Sequence, residues 1–400
     1  MEELLDMMRK NGISRAKILI IDIEGNAKFM IIPREGLKEA GESISIDGSS
    51  ITGLTTVDTS DVVARIDTDS AVCVDDELIL FSTIEHEDGH PLEGDPRGIL
   101  HTVLADAESY GHFFVKPELE FFILQNGKPL DFRGYMDAGE GLQIISDTIS
   151  STGVPVERYH HENGPGQYEI EPLMAPAVQS CDNITLLREV LKEKARDRQK
   201  TVTFMPKPLE GEAGSGMHFH ILLEKRGENC FQSLSQNALY FIGGLMTHAR
   251  GITAITNPSI NSYKRLIPHF EAPVYISWGR SNRSALIRIP LGGKTRIEYR
   301  SPDPLCNPYL ALALILAAGV EGMRKKKEPP PEVTEDIFTS QLSYETLPTS
   351  LPEALDILNE DPLVRKVIGK HLVEKFTAIK KEEINTYTHQ ITAWEYDHYL

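Results

Sequence analysis

Apolar residues recur with a period of two through several short stretches of this chain and with a helical period through others. The first pattern marks half-buried strands and the second amphipathic helices. An opening helix, MEELLDMMRK, is expected to end near Gly12. β-type runs follow at Lys17–Ile23, Lys28–Ile32, Asp61–Ile66 and Glu77–Ser82, giving a small, mostly β region that closes before Pro96. Residues 98–110 predict a helix that leads into a strand at Phe113–Leu124. Further helices are expected at Gly139–Thr152, Asp182–Gln199, Gln236–Thr256 and Tyr309–Lys326. Strands are expected at Val154–Glu162, Tyr168–Glu171, Gly216–Leu223, Ala285–Pro290 and Lys294–Arg300. The proline-rich connection KKKEPPPE, 325–332, precedes a helical tail. This irregular mixture, without repeats, favours α+β with a largely antiparallel sheet.

Charged residues interrupt the apolar strands at the same period of two, so that they share a face. Glu118 and Glu120 do so in VKPELEFFIL, His218 and His220 in GSGMHFHILL, and Arg296, Glu298 and Arg300 in RIEYRSPDP. Glu162 and Glu169 flank a Gly-Pro-Gly turn. Alternating polar residues also mark the wet face of a half-exposed sheet, and one such pair alone means no more than that. Together the Glu and His residues form a plausible oxygen-rich cage for Mg²⁺ or Mn²⁺. Arg265, Glu271, Arg280, Arg283 and Arg288 lie in a Pro- and Ser-rich segment suited either to a loop over an active site or to a basic surface. Neither a Walker A sequence nor GxGxxG is present, which leaves metals and Arg to bind any phosphate.

Composition narrows the reading further. A formal net charge of −18 over 400 residues argues against nucleic acid as a partner. Cys73, Cys181, Cys230 and Cys306 lie far apart and predict reduced thiols. The longest apolar run, Tyr309–Val320, is too short to span a bilayer, and the acidic start lacks a signal-peptide pattern. A soluble, cytoplasmic protein is expected.

IDGSSITG (46–53), KPELEFFIL (116–124), HHENGPGQYEIEP (160–172) and FMPKPLEGEAGSGMHFHILL (204–223) resemble segments of the glutamine synthetase family in its short bacterial and archaeal form. So do NSYKRLIPHFEAPVYISWGRSNRSALIRIP (261–290), RIEYRSPDPLCNPYLALA (296–313) and the closing WEYDHYL. They follow the family's order over nearly the whole chain. The resemblance implies a small N-terminal β-grasp-like domain, 1–95, and a catalytic domain, 96–400, on a curved, mostly antiparallel sheet flanked by helices. It implies two metal ions per site, Mg²⁺ or Mn²⁺. Glu120, Glu162 and Glu169 would hold one, and Glu118, His218 and Glu298 the other, beside the ATP phosphates. Arg283 and Arg288 would face the transferred phosphoryl group, with Arg296 and His220 near the nucleotide. Arg265, Arg300 and Gly214 would bind glutamate, and Tyr135 would border the ammonium pocket. Glu271 would sit on a flap, and Asp47 would help to deprotonate ammonium. The implied assembly is two stacked hexameric rings, a dodecamer, with Asp47 entering a neighbouring subunit's site.

Several positions depart from the family. Ala213 stands where Asn is usual before GSGMH, Leu222 replaces a Ser and Leu54 a Trp. The stretch between Glu120 and Glu162 is short, and Phe338 stands where some members carry a modifiable Tyr. Three functions therefore stay open: glutamine synthesis from ammonium, γ-glutamyl ligation to a larger primary amine such as a polyamine or alkylamine, and a non-catalytic regulatory role.

Overall fold

In the computed structural model, which describes residues 1–132, 134–268, 272–340 and 343–400, the period-two runs pair into two sheets. The smaller has the order Ala27–Pro33, Arg15–Ile21, Glu77–Glu85, Asp61–Val74 and Ser43–Asp47. Its central pair, Arg15–Ile21 and Glu77–Glu85, is parallel and its other pairs are antiparallel. Two elements here exceed the expectation. SISID, at Ser43–Asp47, is short and polar, and becomes a strand by pairing along the edge of Asp61–Val74. That neighbour continues past Ile66 because a register shift between Asp67 and Val72 absorbs the extra residues.

The larger sheet follows the path Trp278–Arg280, Ile287–Ile289, Ile297–Tyr299, Met217–Lys225, His112–Gln125, Gln167–Pro172 and Val156–His161. Only the first pair on this path is parallel. The expected α+β architecture with a mostly antiparallel sheet is therefore present. The long strand His112–Gln125 explains the sheet's two faces. Val115, Leu119, Phe121 and Ile123 point into the core and are fully buried, which leaves Lys116, Glu118 and Glu120 on the opposite face. Each such burial contributes about 1.5–3 kcal/mol.

Helices cover the apolar face. Ala177–Asp197 packs on His112–Gln125, and Gln236–Thr256 packs against Pro308–Lys325. The latter pair approach backbone to backbone, since a Cβ on Gly244 would stand 2.1 Å from Ala318 O and 2.7 Å from Gly322 Cα. The small sheet is not a separate bead. Leu19, Ile21, Ile23 and Phe81 join the same apolar cluster as Leu100, Phe113 and Leu310. Polar ties reinforce the seam. Asn307 Nδ2 donates to Asp22 O and Ile23 O at 3.1 and 3.3 Å, and Lys380 Nζ pairs with Glu24 Oε1 at 2.8 Å. Buried Arg97 joins Asp67 of the small sheet to Asp182 of the helix Ala177–Asp197. Among the described residues no helix is long and apolar enough to cross a membrane.

Candidate active site

The polar face of the large sheet is laid out by strand register. One row runs His160, Glu169 and Glu120 across three strands. A second row takes in Arg158 opposite Glu171, and Glu118 opposite His218. A third runs Lys116, His220, Glu298 and Arg288 across four strands. Period two along each strand and pairing between strands thus convert scattered sequence positions into a grid of charges.

A cavity of about 440 Å³ opens over this grid. Of the residues expected from the sequence, Glu118, Glu120, Tyr135, Glu162, Glu169 and Gly214 line it, as do His218, Arg265, Arg283 and Arg300. Glu298, His220, Arg288 and Arg296 adjoin it through direct contacts. Glu298 accepts from Arg288 Nη1 at 2.8 Å and from Arg300 Nε at 3.2 Å, and lies 3.7 Å from His218 Nδ1. Arg296 Nε donates to His220 Nδ1 at 3.3 Å. On its other side, His220 Nε2 lies 2.6 Å from Glu118 Oε1. Asp47 does not line the cavity. Its exposed carboxylate caps the turn Gly48–Ser50 and accepts from the hydroxyls of Ser49 and Ser50 at 2.6 Å each. These bonds, Ser49's first, favour the ionised carboxylate and hold its pKa below the ordinary carboxylate range. Glu271 lies outside the described residues.

Loops complete the walls. Met136 N donates to His161 O at 2.9 Å and seats Tyr135, whose ring meets His160 edge-on. Arg265 is 3% exposed and spends Nη1 on Ser301 O at 2.7 Å. Gly216 lets the 204–216 loop pass close to it, because a Cβ there would lie 2.7 Å from both Arg265 Nη2 and His218 Nε2. Its N–H donates to Glu120 Oε2 at 2.7 Å.

Electrostatics divide the carboxylates into two kinds. Burial, and then the charge of Glu162, pushes Glu120 up to about 8. Burial and then Glu118 and Glu120 raise Glu169 well above the usual range. Glu118 is half-buried and Glu298 fully buried, but the imidazoles beside the first, and His220 with Arg300 beside the second, outweigh desolvation and lower both. Glu120 and Glu169, raised by burial and by neighbouring carboxylates, fit a hard dication. Among the described residues three triads have ligand atoms within 4.8 Å of one another, namely Glu118, His220 and Glu298; His160, Glu162 and Glu169; and Glu118, Glu169 and Glu171. The first contains His220 where the resemblance implied His218, and the second contains His160 where it implied Glu120.

Lys116, Arg158, His160 and Glu171 belong to this grid and were not singled out from the sequence. Their signal was present. Each lies two residues from a position already recognised, or two steps along the same strand face.

The family model "Glutamine synthetase, catalytic domain" matches residues 93–399. The glutamine synthetase of Pyrococcus abyssi is 40% identical, with 98% of each chain covered. That of Thermus thermophilus is 38% identical, covering 100% of this chain and 98% of the relative. A solved GmaS/ADP complex superimposes with a TM-score of 0.92 at 29% identity, covering 99% of this chain and 98% of its own. The Plasmodium falciparum glutamine synthetase, at 23% identity and a TM-score of 0.89 over 100% of this chain and 98% of that one, shares the fold. With a family model spanning most of its length and relatives at this identity from end to end, the chain belongs to the glutamine synthetase family.

Proposed function

We propose that this protein joins ammonia to the γ-carboxylate of glutamate at the expense of ATP, through γ-glutamyl phosphate, giving glutamine, ADP and phosphate. The observation that carries the reading is the meeting of a carboxylate cluster with Arg265, Arg283 and Arg300 in one cavity. A carboxylate is a poor electrophile, so it must first accept the γ-phosphoryl group of ATP. Bound divalent ions, Mg²⁺ or Mn²⁺, would neutralise the phosphate oxygens during that transfer. Glu120, Glu162 and Glu169, with His160 at hand, would hold one ion; Glu118 and Glu298, with His218 or His220, would hold the other. Buried Arg265 and Arg300 present fixed guanidinium faces to glutamate, and exposed Arg283 is free to follow the phosphoryl group. Arg288, Arg296 and His220 lie where they can meet the nucleotide.

Ammonium has no lone pair and must lose a proton to a carboxylate before it attacks. Asp47 is ionised, exposed and outside its own chain's cavity, which suits it to serve the cavity of a neighbouring copy. The reading therefore includes a homo-oligomer with shared sites, of the stacked-ring form the resemblance implies, in the cytoplasm. Glutamate-dependent phosphate release from ATP with Mg²⁺, comparing ammonium with methylamine and polyamines, tests the function. Ammonium should stimulate most strongly. Greater stimulation by a larger amine would overturn it.

A further inference from the structure

The acidic cluster extends beyond the two ion sites. Glu118, Glu169 and Glu171 also bring one oxygen each within 4.8 Å, a spacing that would admit a third divalent ion. Glu171, however, is already engaged. It is 1% exposed, its Oε2 lies 2.6 Å from Lys116 Nζ, and its Oε1 accepts from Arg158 Nε. Lys116 is 6% exposed and also donates to Glu157 Oε2 at 2.6 Å. An ammonium this deep keeps its charge only beside anions that offset its desolvation. It stands two residues before Glu118, on the same face of the same strand and opposite His220.

We propose that Lys116 is a built-in cation that keeps Glu171 from ligating metal and so limits this carboxylate cluster to two divalent ions. The proposal rests on the two-ion reading above. Lys116 is a positioning residue, acting through Glu171 and Glu157 and not on substrate. Its charge is covalently fixed, so that part of the cluster stays neutralised when chelators or product carry ions away.

Mn²⁺ binding to the full chain without nucleotide, counted from the electron paramagnetic resonance of free Mn²⁺, tests this independently of turnover. Lys116→Met should bind one Mn²⁺ per chain more than the wild type, and Lys116→Met/Glu171→Gln should return to the wild-type count. An unchanged count in Lys116→Met of wild-type circular dichroism overturns the proposal. Should that variant fail to fold, Glu171→Gln alone decides. An unchanged count supports Lys116 as the occupant, and loss of one Mn²⁺ makes Glu171 a ligand and sinks the idea. A wild-type count below two tells against the two-ion reading, while the difference between Lys116→Met and wild type still judges Lys116.

Discussion

Gly216→Ala should damage the chemistry far more than the fold. The new Cβ would stand 2.7 Å from Arg265 Nη2 and from His218 Nε2. Ordinary contact begins at 3.4 Å, so both groups must retreat by about 0.7 Å. Arg265 cannot swing away without leaving Ser301 O, and His218 is held by Glu118 at 2.9 Å. A displacement near 1 Å of positioning groups can cost about 100-fold, so kcat/KM for glutamate should fall roughly 10- to 100-fold. Overpacking costs about 1–3 kcal/mol. About 0.4–1 kcal/mol returns, because alanine narrows the unfolded ensemble at a position without left-handed backbone. For a chain this long the net loss lowers Tm by only about 1–3 °C. Phosphate release with glutamate and ammonium, beside a thermal melt, reads both quantities. Activity within twofold of wild type would refute the packing argument, as would a loss explained entirely by unfolding.

Glu298→Ala leaves Arg288 and Arg300 facing an empty position that is 1% exposed in the native chain, and should lower stability by about 3–5 kcal/mol. An unshifted denaturant midpoint would contradict those pairings. Mg²⁺ at 100 times its Kd should stabilise the protein by about 2.7 kcal/mol per site, and chelation should remove that gain. Because Glu120 sits near 8, Mg²⁺ added to metal-free protein at pH 7 should release protons, and a pH-stat that records none would refute it. His248 lies between Asp361 at 2.9 Å and Glu321 at 2.7 Å; burial opposes its charge, but the two carboxylates prevail and raise it. Its contribution should be complete below about pH 6.5, the ordinary histidine value, and fade as pH climbs through the raised one. Urea midpoints at pH 6 and pH 9 should differ less in His248→Gln than in wild type, and equal differences would dismiss the ion pairs as a stabilising element.

Most strands and helices were legible because their periodicity is strong, as in VKPELEFFIL and in the unbroken apolar run after Asn307. The edge strand Ser43–Asp47 was not, since its pairing with Asp61–Val74 is a tertiary event that five alternating residues cannot announce. The site was legible by the same rule of two, but only where a Glu or His drew attention. Lys116 and Arg158 obey the rule equally, yet a basic residue at the rim of a strand looks like a solvated face. Only the tertiary contacts, register for Arg158 and side-chain reach for Lys116, bring both against Glu171 and give them meaning. Asp47 shows a different limit. Its carboxylate is exposed and self-capped, and one chain supplies no partner that explains it.

The seam between the two sheets has a consequence for synthesis. Glu24 and Lys380, which close it, are 356 residues apart. At a ribosomal pace of about 5–20 residues per second, roughly 20–70 s pass before the second arrives. Throughout that interval the face carrying Leu19, Ile21, Ile23 and Phe81 has no complete counterpart. The newborn chain must therefore carry an oily, unpaired surface until its last quarter emerges. Its yield in a cell is set by what shields that surface during the wait as much as by the stability of the finished molecule.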